Sequence, residues 1–154
     1  MDTVPFELKV ENRFVVKSSQ FPSHLIYKAD RPSFTTSHMQ EYKSSHLFSM
    51  KKYIKWNNII IQMYDPIVPS MAQVIMEVVE DDDFKLKDFT IDVIGSNGDI
   101  VEQWSIESPE IVSADFGQLN WKSVRANASS ENVNKSEPCM ITLEISIGKA
   151  RLLF

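Results

Sequence analysis

The amino-acid sequence predicts a mainly β fold: a small sandwich or barrel of antiparallel strands, one flanking α-helix at about residues 70–81, and long loops. Several short segments alternate apolar and polar residues, which is the period of a half-buried strand. Two such segments meet at Asn97 and Gly98, a pair that favours a two-residue hairpin turn. Only one stretch of the sequence has a clear helical spacing of apolar residues.

Length and composition predict a single domain that spans residues 1–154. Of the 154 residues, 43% are hydrophobic, which suffices for an ordinary globular core. The single cysteine, Cys139, excludes an internal disulfide and a metal site built from several cysteines. No apolar run reaches the roughly 18 residues that a membrane span needs. The sequence begins without a recognisable secretion signal, so we expect synthesis in the cytoplasm.

The first part of the chain is predicted to form a hairpin at about residues 5–19. Phe6, Leu8 and Val10 alternate with polar residues, as in a strand that buries its apolar side. Residues 14–17 are largely apolar and form the predicted returning strand.

Residues 22–50 are interrupted by prolines and by many serines and threonines. Within them, residues 25–27 and 33–42 are candidate strands, whereas residues 43–50 are predicted to be an exposed, mobile loop. A long loop in a compact domain commonly has a function. Strand character returns in residues 51–64, where three consecutive isoleucines indicate burial on both faces or an interface on one.

Three histidines, His24, His38 and His46, lie in this part of the chain. Their spacings of fourteen and eight residues match no compact metal-ligand motif, and no acidic residue is placed beside them as a further ligand. We therefore predict neither a metal site nor a cofactor.

The predicted helix begins with a capping box, in which Ser70 is the N-cap and Gln73 stands three residues later. Its apolar side consists of Met71, Val74, Ile75, Val78 and Val79. The acidic run at 80–83 has neither the glycine nor the distal glutamate of a calcium-binding loop. We interpret this run as a solvated helix end.

The register of the hairpin at 89–106 follows from a type I′ turn at Asn97 and Gly98, which sets Ser96 opposite Asp99. One face then carries apolar side chains and the other polar ones. The apolar face consists of Phe89, Ile91, Trp104 and Ile106, and the polar face of Thr90, Asp92, Gln103 and Ser105. The same register puts Asp92 and Glu102, a candidate carboxylate pair, on opposite faces.

The remaining chain contains a short predicted strand at 111–116, a long polar loop at 122–137 and a regularly alternating strand at 141–147. No motif of a serine hydrolase, a nucleotide-binding loop or a zinc protease occurs. We therefore predict that the protein is not an enzyme.

The net charge of −5 is unevenly divided, with +2 in residues 1–77 and −7 in residues 78–154. An acidic chain is a poor candidate for tight binding to nucleic acid through phosphate contacts. The division is consistent with complementary faces for self-association and also with ordinary solubility.

The order of these elements resembles the tail-tube proteins of contractile-tailed phages, the group typified by the tube protein of T4-like phages. Three regions carry the resemblance: the aromatic-rich strand and helix of 53–80, the hairpin of 89–106 with the corner at 113–121, and the strand at 139–147. The likeness covers most of the chain as a pattern. The polar loop at 122–137 and the residues after Ile147 depart from the family.

The resemblance implies hexameric rings that stack into a tube inside a sheath, in the tail of a virion. DNA passes through the lumen of such a tube without specific binding, and sheath and baseplate proteins are partners. Thr90, Asp92, Gln103 and Ser105 are then candidate lumen-facing residues. The candidate inter-ring loop consists of Lys43, Ser44, Ser45, His46, Leu47 and Phe48. Six acidic copies predict an acidic lumen that repels phosphate.

Two kinds of alternative stay open at this stage. One alternative of the same class is a tube or baseplate-tube protein of a phage-derived contractile injection system. The alternatives from other classes are a β-sandwich module that binds a protein or small ligand, and an enzyme whose site is not visible as a motif.

Overall fold

Two antiparallel sheets of four strands form the body of the protein, and a separate two-stranded hairpin extends from it. In this computed structural model, residues 6–43, 47–121 and 137–154 are described, with only the backbone at 39–43 and 47–51. The strands of the described residues are β1 Phe14–Lys17, β2 Ile26–Ala29, β3 Phe34–Lys43, β4 Leu47–Trp56, β5 Ile59–Tyr64, β6 Phe89–Ile94, β7 Ile100–Glu107, β8 Glu110–Asp115, β9 Met140–Ser146 and β10 Lys149–Leu152. The helix α1 is Met71–Asp81.

The predicted small β-sandwich with one helix is confirmed, and the sheets do not close into a barrel. The first sheet has the order β1-β6-β7-β10 and the second the order β2-β5-β9-β8. Both sheets and α1 contribute to one apolar core. Among the described residues, no helix is long and apolar enough to cross a membrane.

The central strands β5 and β9 supply the most deeply buried side chains. Ile59, Ile61 and Met63 pair across the sheet with Ile145, Leu143 and Ile141, and each of the six is at most 1% exposed. Between them, Ile60 points to the other side and is exposed. The three consecutive isoleucines therefore have one buried and one exposed face. Burial on both faces is wrong, and an interface on the exposed face stays a prediction.

The hairpin of β6 and β7 has the predicted pairing from Phe89 with Ile106 to Asp92 with Gln103. Its turn differs from the prediction, because Asn97 does not have a positive φ whereas Gly98 has φ +85°. Gly98 N donates to Gly95 O, and Gly95 N donates to Asp99 O, which makes a three-residue loop with a glycine in the left-handed conformation. That loop shifts the pairing by one residue, so Ile94 faces Ile100, and a bulge restores the predicted register at Val93.

The predicted hairpin at 5–19 is wrong. Phe14–Lys17 is a strand, but it pairs with β6 rather than with residues 6–10, which form no strand. The apolar residues of that segment also face the opposite way from the prediction, because Phe6 is 80% and Leu8 70% exposed. Apolar and polar residues do alternate in this segment, but the polar side chains are the ones that contact the body of the protein.

The mobile loop predicted at 43–50 is also wrong over most of its length. β3 extends to Lys43, and β4 begins at Leu47, so these residues form the far end of a regular hairpin with ten paired positions on each strand. Ser44, Ser45 and His46 lie outside the described residues. Residues 33–42 are confirmed as a strand except for Ser33, which precedes β3, and the candidate strand at 25–27 begins one residue later as β2.

The helix α1 begins where the capping box predicts. Ser70 Oγ accepts a hydrogen bond from Gln73 N at 3.3 Å. A second cap was not predicted: Asp65 Oδ1 accepts from Met71 N at 2.9 Å and from Ala72 N at 3.4 Å. Because these amide groups have no partner inside the helix, a carboxylate is well placed to bind them.

We expect Asp65→Ala to lower the free energy of unfolding by about 1 kcal/mol, because two helix amides lose their acceptor. Urea denaturation followed by circular dichroism measures the change. Asp81→Ala is the control, since a carboxylate in the last turn opposes the helix dipole and its removal should not destabilise. Equal losses in the two variants would contradict the capping role.

Candidate functional site

The four residues predicted to face a lumen lie together on one face of the first sheet. Thr90 pairs with Ser105, and Asp92 with Gln103, whereas the alternating residues Phe89 and Ile91 enter the core. We call the face that bears them the outer face of the first sheet. The structure brings the four together, and their position toward a lumen stays a prediction.

Asp92 is the unexpected member of this face, because it is 0% exposed. Lys17 Nζ lies 3.0 Å from Asp92 Oδ2 and forms an ion pair with it. The carboxylate oxygens accept no hydrogen bond of good geometry from the described residues, so the ion pair is their main compensation. Burying a carboxylate without a partner costs free energy of folding, and the ion pair with Lys17 offsets part of that cost.

The charges of the outer face nearly cancel. The strand register places five charged side chains on it, Lys17, Asp92, Glu107, Lys149 and Arg151, with a net charge of +1. Arg151 Nε lies 2.7 Å from Glu107 Oε1, so two of the three cations are paired. The net charge of −5 of the chain does not reside here, which removes the basis for an acidic lumen on this face.

The second buried carboxylate, Glu102, points to the other side of the same sheet, as the register predicts. Its side chain is 5% exposed. Lys9 Nζ donates to Oε1 at 2.6 Å, Trp104 Nε1 donates to Oε2 at 2.6 Å, and Arg31 Nη1 lies 3.2 Å from both oxygens. Burial acts to raise the pKa of Glu102, but the hydrogen bonds from Lys9, Trp104 and Arg31 outweigh it and lower the pKa.

Sequence reasoning missed this cluster, although one signal was present. Glu102 lies on the same face of β7 as Trp104 and Ile106, so it interrupts that apolar face. A charged residue in such a position needs partners from elsewhere in the chain, and neither Lys9 nor Arg31 is recognisable as one from the sequence.

Residues 6–10, which we call the arm, are attached to the body through polar contacts. Glu7 Oε1 accepts from Ser96 N at 2.8 Å, and Lys9 binds Glu102. The hydrogen bonds with Ser96 lower the pKa of Glu7. Because these two side chains bind the body of the protein, Phe6 and Leu8 lie on the opposite side of the arm, where they are 80% and 70% exposed.

A cleft of about 730 Å³ separates residues 9–14 from residues 27–31. Ile91 and Val93 of the first sheet also line it, although they are only 2% and 6% exposed. One wall contains β2, an edge strand of the second sheet. The cleft is therefore bounded by a strand with unpaired backbone groups, a feature that favours contact with another chain.

The β3–β4 hairpin contains the described part of the predicted inter-ring loop, Lys43, Leu47 and Phe48. Its strands make their principal contacts with each other. Phe34 and Trp56 stack edge to face at its base, and Phe34, Tyr53 and Ile54 are exposed. A two-stranded hairpin of this kind is marginal in water on its own.

Several other apolar side chains are exposed where no strand or helix pattern predicts a surface function. They are Ile67, Val68, Leu119, Trp121, Leu152, Leu153 and Phe154. The described residues contain no group of three or more histidine, cysteine or acidic side chains arranged to hold a metal, and Cys139 is an exposed free thiol. Among the described residues, the exposed apolar side chains and the open sheet edges are the features suited to contact with another chain.

No family model and no curated protein matches the chain. Solved structures do match it over nearly its whole length. A chain in the "PVC sheath/tube terminator in extended state" of an extracellular contractile injection system has a TM-score of 0.67 and 11% identity, with 99% of this chain and 100% of that chain covered. A chain in the tube-terminating cap of the anti-feeding prophage has a TM-score of 0.62 and 12% identity, over 98% and 95%.

A chain in the six-fold symmetrised baseplate of the anti-feeding prophage has a TM-score of 0.58 and 15% identity, with 99% and 97% covered. These structures share the fold of the present chain, and the predicted resemblance to the contractile-tail family is confirmed at that level. The identities are too low for the comparison to assign any residue a role.

Glu102→Gln is expected to lower the free energy of unfolding at pH 7 by about 1–2 kcal/mol, since the hydrogen bonds from three donor residues, Lys9, Arg31 and Trp104, weaken at a buried site. The folded-state pKa of Glu102 lies below its ordinary value of 4.5. Its ionised form therefore stabilises the fold fully above about pH 4.5, and this contribution is lost as the pH falls through the folded-state pKa.

The difference between the parent protein and Glu102→Gln should accordingly shrink below pH 4.5, as measured by urea denaturation across pH. Glu7→Gln is the matched control, because Glu7 is exposed and its loss should have a smaller effect. A difference between parent and Glu102→Gln that does not depend on pH would rule out ionised Glu102 as its source.

Lys17→Met is expected to destabilise the protein by about 2–3 kcal/mol, because it leaves the buried Asp92 carboxylate without its cation. The double variant Lys17→Met with Asp92→Asn should recover most of the loss, since no buried charge remains. Thermal and urea denaturation of the single and double variants measure the coupling. Simple additivity of the two changes would show that the ion pair is not the stabilising contact.

Proposed function

We propose that this chain is a structural subunit of the tube of a phage-like contractile tail, and that it assembles into stacked six-membered rings. The observation that carries the proposal is the similarity of fold, over nearly the whole of both chains, to a component of a sheath/tube terminator assembly. The other matched structures belong to a tube-terminating cap and to a six-fold symmetrised baseplate. A place at the end of the tube or next to the baseplate is the second candidate, favoured by these matches.

The open edges of the first sheet support ring formation. Successive strands β1, β6, β7 and β10 are all antiparallel, so the two edge strands β1 and β10 run in opposite directions. When β10 of one copy lies beside β1 of the next, this new pair is also antiparallel. Repeated head-to-tail contact of this kind closes a ring without breaking the pattern of the sheet.

In a ring built this way the outer face of the first sheet lines the central channel. Thr90, Asp92, Gln103 and Ser105 then face the lumen, with Asp92 beneath the surface and Lys17 above it. The net charge of +1 on that face gives a weakly positive lining. DNA or polypeptide passes through such a channel without a specific binding site, and the lumen charge does not select between them.

The β3–β4 hairpin supports contact between rings or between neighbouring copies. It has ten residues in each strand, its principal contacts are internal, and its exposed apolar side chains lack a covering element among the described residues. In the assembly a neighbouring copy supplies that cover. Sheath and baseplate proteins are the further partners, and the tail of the particle is the location.

Negative-stain microscopy and sedimentation of the purified chain test the proposal, with rings or tubes as the expected result. A protein that stays monomeric at high concentration across salt conditions would overturn it.

Replacing residues 40–50 with Asn-Gly shortens the hairpin, because Met39 and Lys51 are paired neighbours in the ladder. We expect the shortened chain to fold with nearly unchanged thermal stability, since the removed segment contacts mainly itself, and to lose ring stacking. Sedimentation velocity and microscopy measure assembly, and circular dichroism measures folding.

Replacing Asn97 and Gly98 with Gly-Gly is the control for a changed hairpin tip, and it should leave stacking intact. Normal tubes from the shortened chain would exclude the hairpin as a stacking element.

A further inference from the structure

One edge of the first sheet carries apolar side chains that the subunit does not cover. The strand register places four residues in one row across the core face of this sheet, Val16, Ile91, Trp104 and Leu152. Val16 and Ile91 are buried, whereas Leu152 on β10 is 56% exposed. The core face is therefore closed near β1 and open at β10.

The open part of this face extends beyond Leu152. Gln103 N donates to Phe154 O at 2.9 Å, so the pairing with β7 continues to Phe154. Side chains two residues apart in an extended chain lie on the same side, so Phe154 shares the face of Leu152 and of Ala150. Ala150 is buried in the core, whereas Phe154 is 59% exposed. We call Leu152 and Phe154 the edge pair.

The opposite edge of the subunit has a hollow beside β1. This hollow has a volume of about 500 Å³ and lies between the beginning of β1 and the segment 23–27, which leads into β2. Phe14, Tyr27 and Tyr64 contribute aromatic side chains to it, and the rings of the two tyrosines stack edge to face at 5.6 Å. None of the described residues that line it is a lysine, an arginine, an aspartate or a glutamate. We call it the aromatic hollow.

Pairing of β10 with β1 of the next copy brings the edge pair to the aromatic hollow. Side chains alternate along both strands, so a junction that joins the core faces places Leu152 and Phe154 on the side to which Phe14 of the next copy points. On that side, the elements beside β1 are β2 and the short helical turn before it, both of which contact β1. These elements form the far wall of the hollow.

The row of the sheet also sets the level of the contact. Leu152 and Val16 stand at the two ends of one row within a copy. A junction that keeps this row level therefore sets Leu152 opposite Val16 of the next copy, and Phe154 opposite Phe14. A shift of two residues sets Phe154 opposite Asn12, which also lines the hollow.

We propose that Leu152 and Phe154 of one copy seat in the aromatic hollow of the next copy. The proposal rests on the proposed head-to-tail ring and names the side chains that join its subunits. A second copy is the partner because the uncovered apolar pair and the uncharged hollow lie at the two edges that the strand pairing joins. Backbone hydrogen bonds between edge strands supply affinity, whereas side chains in pockets supply specificity. The edge pair thus selects the register and the face of the junction.

Two neighbouring leucines provide a matched test. Leu152 and Leu153 are 56% and 52% exposed, and they lie on opposite faces of the same strand. Leu152→Ser should weaken self-association by about tenfold, because its apolar surface is buried only in the contact. Leu153→Ser removes the same side chain from the other face and should change association by less than about twofold. Sedimentation velocity measures association, and circular dichroism checks that both monomers keep the parent fold.

Cysteine cross-linking tests the position of Phe154 directly. In a Cys139→Ser background, one preparation carries Phe154→Cys and another carries Asn12→Cys, at an exposed position of the hollow. After mixing, a short thiol cross-linker should join the two preparations into a heterodimer. Neither preparation alone should cross-link, because a head-to-tail contact places unlike positions together. Asp99→Cys, exposed at the β6–β7 turn away from both edges, replaces Phe154→Cys in the control and should give only background.

The outcomes separate this contact from the proposed function. Rings that form without the cross-link, and that Leu152→Ser weakens no more than Leu153→Ser does, would overturn the seating of the edge pair and leave the ring in place. Rings with the cross-link and with a selective loss in Leu152→Ser support both. A cross-linked oligomer that never closes into rings supports the seating alone. A monomer at high concentration without any cross-link would overturn both.

Discussion

Open sheet edges are the constraint on which the rest of this structure depends. Each four-stranded sheet ends on both sides in a strand whose outer backbone groups have no partner within the sheet, and the sandwich does not close on itself. Monomeric β proteins usually protect such edges with charges, prolines or bulges. Here the edge β10 continues into Leu153, whose backbone N donates to Gln103 O, so the strand pairing extends to the end of the described chain. β10 carries Lys149 and Arg151, but its ladder with β7 has no bulge, so its outer backbone groups are suited to pairing with another copy.

The Glu102 cluster explains why the arm presents its apolar side to solvent. The carboxylate binds Lys9 and Arg31, which come from segments far from it in the sequence. Once Lys9 points inward, the alternation of an extended chain directs Leu8 and Val10 away from the body. A buried ion cluster of this kind adds little net stability, but it specifies one orientation of the arm. That orientation exposes the surface that the arm would otherwise bury.

The parts of the fold predicted correctly from the sequence are those determined by local contacts. The capping box located the start of α1, and the pattern around Asn97 and Gly98 placed the central pairs of β6 and β7 in register, although the turn has another geometry. The failures have a common cause. Alternation shows that residues 6–10 have two unlike faces but not which one meets the body. The far end of the β3–β4 hairpin, residues 43–50, has no clear alternation in its sequence, so its strand pairing was not predicted. Glu102, Lys9 and Arg31 meet only through tertiary structure.

The distribution of charge bears on how a ring would work. The net charge of −5 suggested an acidic channel, yet the outer face of the first sheet carries +1, with Lys17 and Arg151 each beside a carboxylate. Acidic side chains are concentrated instead in the turn at 80–83, away from that face in the strand order. Charge at the edge of a subunit acts on neighbouring copies, whereas charge on the channel face acts on whatever passes through. In the proposed ring the acidic surplus would therefore lie away from the channel, since the ion pairs of Lys17 and Arg151 leave the outer face of the first sheet nearly neutral.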